Sequence, residues 1–162
     1  VGAGDPINLS NTYHFERNGW TGLLIEADPR RIAALIRKRT SPVVHAAVCD
    51  RDGDVHLHLD SNPDLSSLYG NPLSDYATVP AARLETILHY HGIAAIDLLS
   101  IDVESADLAA WRTMHFQSHQ PRAVIIEHEH SDKAAMLAEF LGLGYRLIDE
   151  NASNFVFVRD RP

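Results

Sequence analysis

The chain has 162 residues, 45% hydrophobic and 22% charged, a balance that lets one domain bury a core and argues against disorder. With 22 acidic residues against 14 Lys and Arg the net charge is −8, which speaks against a surface built to track a nucleic-acid backbone or an anionic membrane, since both need clustered positive charge. A single cysteine, Cys49, excludes an intrachain disulfide and a cysteine-based zinc centre and fits a reducing, cytoplasmic setting, and no apolar run approaches the roughly 18 residues of a membrane span.

The chain opens on Val1-Gly2-Ala3-Gly4 instead of Met, so a first strand of which only Val1 is present, and an amino-terminally incomplete domain, are expected. Leu23-Leu24-Ile25, bounded by Gly22 and Glu26, predicts a buried strand. Pro29 is placed to open a helix in which Ile32, Leu35 and Ile36 recur at helical spacing. Residues 43–48 predict the next strand. Arg51-Asp52-Gly53-Asp54 predicts a turn, after which Val55, Leu57 and Leu59 alternate with His56 and His58 as in a half-exposed strand. The run of Ser, Asn, Pro, Gly and Asp over residues 61–77 predicts a long loop, with Leu65, Leu68 and Tyr69 as candidates for a substrate cover.

Residues 82–90 read as a helix, residues 96–101 as a strand ending at Asp102, and residues 105–111 as a short helix. Residues 123–126 form a second apolar strand ending at Glu127. Residues 133–141 are amphipathic and stop at Gly142 and Gly144, as helix ends do. Residues 145–148 and 155–158 predict two closing strands, and Trp111 and Phe116 read as core. Strands separated by helix-length segments predict an α/β fold, a mostly parallel sheet wrapped on both faces, in a single domain over residues 1–162. The last connection is too short for a crossover, so a carboxyl-terminal antiparallel hairpin closes the sheet.

Ligands of open α/β sheets sit beyond the carboxyl ends of the strands. That selects residues 2–5, 26–28, 102–104 and 127–130, all of which carry acids. Small residues at Gly2-Ala3-Gly4 let the backbone approach a cofactor closely. Glu26 follows Gly4 by 22 residues at the end of the next strand, where a carboxylate can accept both hydroxyls of a ribose. A nicotinamide dinucleotide would need a third glycine where Ile7 stands, and Asp5 puts negative charge where its pyrophosphate would lie. A cationic nucleoside such as S-adenosylmethionine tolerates that charge better.

Several spaced motifs then carry a resemblance. The run from Val1 to Asp5, Leu9-Ser10-Asn11-Thr12-Tyr13, Gly19-Trp20-Thr21-Gly22 and Ile25-Glu26-Ala27-Asp28-Pro29 resembles the FkbM family of S-adenosylmethionine-dependent methyltransferases. Residues 96–104, ending Ile101-Asp102-Val103-Glu104, residues 121–127 and the closing residues 154–159 are similar to further signatures of that family. The resemblance implies a Rossmann-like class I methyltransferase fold and methyl transfer, commonly to a hydroxyl of a sugar or secondary metabolite. It implies that Gly2, Ala3, Gly4 and Asp5 line the methionine part of the cofactor. By the same likeness Glu26, with Ala27 beside it, holds the ribose, Ala47 and Val48 flank the adenine, and Asp102 faces the methionine end and the acceptor. One departure stands out: where the family usually has Gly after Asp-Val-Glu, this chain has Ser105.

A hydroxyl acceptor must lose its proton, so a general base within hydrogen-bond reach is required. Asp102 or Glu104, helped by Glu127 or His128, is expected to supply it. Asp102 also has a structural reading as a helix cap, and Glu104 as a first-turn residue favoured by the helix dipole. In an extended Glu127-His128-Glu129-His130 the two acids and the two imidazoles point to opposite faces, so all four do not hold one ion; no metal is expected, and a divalent ion held by Asp102 with Glu127 or His128 is the lesser alternative. The expected partner is a small-molecule or carbohydrate hydroxyl acceptor. The alternatives are a catalytically silent nucleoside-binding domain and an NAD-dependent oxidoreductase.

Overall fold

The computed structural model describes residues 1–160. Helix α1 (Tyr13–Arg17) precedes strand β1 (Leu24–Glu26), which is buried at every position. Asp28 ends the strand segment and starts the next helix: its carboxylate accepts Arg30 N at 2.8 Å, and Pro29 fills the first helical position, where no N–H is needed. Helix α2 (Pro29–Lys38) returns the chain to β2 (Val43–His45), parallel to β1 with Leu24 opposite Val43 and Glu26 opposite His45.

Strands β3 (Ala47–Val48), β4 (Gly53–His58) and β5 (Tyr76–Ala82) form a second sheet with β5 in the middle, parallel to β3 and antiparallel to β4. Helices α3 (Leu84–Tyr90), α4 (Asp107–Arg112), α5 (Phe116–His119) and α6 (Lys133–Gly142) alternate with β6 (Leu98–Ile101) and β7 (Ala123–Glu127). The closing strands β8 (Arg146–Glu150) and β9 (Asn154–Val158) complete a sheet of order β6-β7-β9-β8. Its centre carries the main core, where Phe140 stacks on Phe157 with centroids 4.4 Å apart and Trp111 lies 4.6 Å from Phe140. Among the described residues no helix is long and apolar enough to cross a membrane.

Val1 sits where the sheets meet. Its amino group donates to Ser100 O at 2.8 Å and its carbonyl accepts Asp102 N at 3.1 Å, the bonding of a parallel strand opposite Ile101. On the other side Ala3 N donates to Ile25 O at 3.1 Å. Residues 1–3 therefore join β6 to β1.

The structure refines four expectations. Antiparallel pairing goes beyond the β8–β9 hairpin: β9 lies between β7 and β8 and runs against both, and β4 runs against β5. Residues 76–82 form β5, so the loop ends earlier and the next helix starts later than predicted. The helix placed at 105–111 begins at Asp107, because Glu104 and Ser105 take φ values of +54° and +76°, outside the helical region. The strand over 43–48 is interrupted at Ala46, whose N–H bonds back to Glu26 O at 3.0 Å.

Candidate functional site

The strand ends position the acids and glycines around one cavity of about 790 Å³. It reaches from the carboxyl ends of β1, β3 and β6 down the slot between β1 and β6 as far as Trp20 and Ile96. Gly2 takes φ +67° and packs so closely on the end of β6 that only glycine fits there. Gly4 follows at φ +54° and donates its N–H to Glu26 Oε2 at 2.8 Å, while Asp28 N donates to Glu26 Oε1 at 2.7 Å. The bend and the end of β1 are thus held together by one carboxylate. Burial pushes the Glu26 carboxyl above its ordinary range, an effect the two N–H donors only partly offset.

Asp5 turns the chain after the bend. Its Oδ1 accepts Ile7 N at 2.9 Å and Asn8 N at 2.8 Å, and these two bonds hold its carboxyl below the usual range. Arg31 lies 3.7 Å from Asp5 and 2.5 Å from Asp64, linking the bend to the segment above it.

That segment, residues 59–75, contains a 3-10 turn at Pro63–Leu65 and is tied down at both sides of the cavity. Over β1, Ser66 Oγ donates to Asp28 Oδ2 at 2.9 Å and Arg30 reaches both Asp28 and Asp60 O. Over β6, Ser67 Oγ donates to Glu104 O at 2.6 Å. Leu65 and Leu68 line the cavity, whereas Tyr69 points elsewhere and is largely exposed.

At the ends of β6 and β7 the acids crowd together. Asp102 is half-buried on the cavity wall, and Glu104 lines the cavity beside it. Asp107 opens α4 with Oδ1 accepting Val103 N at 2.9 Å, and Glu127 ends β7. Burial raises the carboxyls of Asp107 to about 6, Glu104 to about 7 and Glu127 to about 8, and the negative charge of Asp102 adds to each. Asp102 is itself raised, first by burial.

All nine residues expected to bind cofactor, Gly2 to Asp5, Glu26, Ala27, Ala47, Val48 and Asp102, line the cavity. Of the four candidate bases, Asp102 and Glu104 line it, while Glu127 lies behind Asp102. His128 is fully buried against Phe155 at 4.3 Å, with Glu150 3.7 Å from Nε2. Two contributors were not anticipated: Asp107, which lay inside a predicted helix, and Ser67, which lay in a polar loop. A buried carboxylate in a first helical turn leaves no periodic signal, and Ser67 meets Glu104 only through the fold.

The family model described as the methyltransferase FkbM domain matches residues 1–147. No curated protein and no solved structure matches the chain. The matched span takes in the bend, Glu26, the covering segment and the acids after β6 and β7, and ends within β8. The chain belongs to the FkbM methyltransferase domain family.

Proposed function

We propose that this methyltransferase moves a methyl group from S-adenosylmethionine to a hydroxyl oxygen of a sugar or other small metabolite, on a Rossmann-like class I methyltransferase sheet. The observation that carries the reading is the bond from Gly4 N to Glu26 Oε2, which brings the glycine bend and the strand-end carboxylate onto one wall, with Asp102 on the same cavity. Asp5 supports this donor over a nicotinamide dinucleotide. Its carboxylate already occupies the N–H groups of Ile7 and Asn8, which a pyrophosphate would need, and it adds repulsion. Unpaired Cys49 is in keeping with a reducing, cytoplasmic setting.

The residues present suit the donor. Glu26 has lone pairs left beyond its two backbone bonds and would take the ribose hydroxyls. Ala47 and Val48, both buried, would flank the adenine. The Asp102 carboxylate has no hydrogen-bond partner among the described residues and would face the cationic end. When bound, the sulfonium supplies an electrophilic methyl group. The protein's part is positioning, together with removal of the acceptor's proton. Glu104, half-buried on the cavity wall with its side chain unbonded, is the group assigned to accept that proton. Segment 59–75 covers the cavity and would select the acceptor.

Calorimetric titration with S-adenosylhomocysteine and with NAD tests the donor. Binding of the first and not the second is expected, and Glu26→Ala should abolish it. Transfer of labelled methyl to a panel of sugars and hydroxylated metabolites then tests turnover, with Glu104→Gln lowering kcat while leaving S-adenosylhomocysteine affinity unchanged. Affinity without turnover on any acceptor would favour a silent nucleoside-binding domain.

A further inference from the structure

Three carboxylates from three elements converge beside the cavity. Asp102 follows β6, Asp107 opens α4 and Glu127 ends β7, and one oxygen of each lies within 4.8 Å of the others. Two oxygens on one ion are separated by at most about twice a metal–oxygen distance of roughly 2.0–2.6 Å, so this spacing suits a shared ion. Proximity of acids alone would mean little. What distinguishes this group is enclosure without partners: Asp107 and Glu127 are 1% and 6% exposed, yet Asp107 Oδ2 and Glu127 Oε2 accept no hydrogen bond. Among the described residues no lysine, arginine or histidine side chain pairs with any of the three. A bare buried carboxylate oxygen is costly, and the nearest positive charge, the Val1 amino group, acts on Asp102 and Asp107 but donates to Ser100 O and leaves Asp107 Oδ2 and Glu127 Oε2 unbonded.

We propose that Asp102, Asp107 and Glu127 bind a divalent cation at the carboxyl ends of β6 and β7, against the cavity wall. An all-carboxylate donor set selects a hard ion such as magnesium, manganese or calcium over zinc or copper. Asp102 is the ligand on the cavity wall, and Asp107 and Glu127 stand behind it, outside the lining. The open coordination positions therefore face the cavity, where an acceptor hydroxyl on the ion would be oriented and made more acidic. That role rests on the methyl-transfer reading; the binding does not.

Manganese titrated into the chelator-stripped chain, followed by loss of the free-ion electron paramagnetic resonance signal, tests the site. Saturable binding of one ion per chain, competed by magnesium, is expected. Asp107→Asn, Glu127→Gln and Asp102→Asn should each weaken it at least about tenfold. Glu129→Gln, altering an exposed neighbour, should bind as the parent does. Each substitution removes an unpaired charge, so the variants are expected to fold, which circular dichroism checks. The parent's melting temperature should rise with added manganese. No saturable binding by the folded parent, or undiminished binding by the folded ligand variants, overturns the site and leaves a shared proton to neutralise the cluster. S-adenosylhomocysteine titrated into the same stripped chain separates the two ideas. Affinity for it without cation binding sinks the site alone, and cation binding without that affinity sinks the methyl-transfer reading alone.

Discussion

Gly2 lies directly against the end of β6: a Cβ on it would stand 1.6 Å from the carbonyl oxygen of Asp102 and 2.7 Å from the carbonyl carbon. The contact is with backbone, which is itself pinned by the bond from Asp102 N to Val1 O. Gly2→Ala can be accommodated only by moving the strand end that carries Asp102. It should cost more than about 3 kcal/mol and reduce S-adenosylhomocysteine affinity together with stability. Gly19, at φ +88° with open space around it, provides the control, because alanine there meets only backbone strain of about 1–2 kcal/mol. Urea unfolding of both variants measures the difference, and equal losses would remove the steric argument.

Glu104 and Ser105 hold consecutive left-handed conformations in the turn after β6. Strain of about 1–2 kcal/mol is stored at such a residue when it is not glycine. Ser105 is exposed, so replacing it removes no packing. Glycine loses about 0.5–1 kcal/mol through its greater freedom in the unfolded chain. Ser105→Gly should therefore stabilise by roughly 0.5–1 kcal/mol, or about 2 °C in melting temperature for a chain of this size. Ser105→Ala, which keeps the strain, should melt with the parent. A glycine variant that melts no higher would show that the turn is not strained at this position.

The first βα unit was legible because Asp28 and Pro29 signal a helix start through local chemistry, and the cavity was legible because strand ends attract ligands whatever the side chains. Strand β5 was not. Its exposed residues Tyr76, Thr78 and Pro80 alternate with Val79 and Ala81 facing the core, but a proline and a preceding polar run read as loop. Pairing on both sides, with β4 and β3, overrides that local preference. Asp107 was hidden for a different reason. Its neighbours in sequence form an ordinary short helix, and only the distant Glu127 gives its carboxylate a chemical setting.

Ser67 is where the covering segment meets the reacting end of the cavity. Its hydroxyl donates to Glu104 O at 2.6 Å and accepts Tyr69 N at 3.2 Å, while its backbone pairs both ways with His58. Ser67→Ala removes the first two bonds and keeps the backbone pair. A loss of about 1 kcal/mol should speed amide hydrogen exchange roughly fivefold in residues 59–75, with β5 keeping its protection. Exchange unchanged in that segment would mean that Arg31 and Ser66 hold it without Ser67.

Glu16 and Arg39, which line the cavity, make the molecule acid-sensitive. Arg39 Nε lies 3.2 Å from Glu16 Oε1, and Arg39 also reaches Pro6 O, Ser10 and Thr12. Burial alone would raise the Glu16 carboxyl. The Ser41 hydroxyl, Thr40 N and Arg39 outweigh it and bring the group down to about 2 from an ordinary 4.5. A carboxyl held low when folded contributes stability that is fully present above about 4.5 and disappears as pH falls toward 2. The shift corresponds to about 3 kcal/mol. Glu16→Gln should therefore be less stable than the parent by about that much at pH 7, and the gap should close between pH 4.5 and 2. Comparing the two chains cancels the carboxyls they share, including those near the cavity that are raised instead. Urea midpoints across this range measure the gap, and a difference independent of pH would show that Glu16 stabilises by packing and not by its charge.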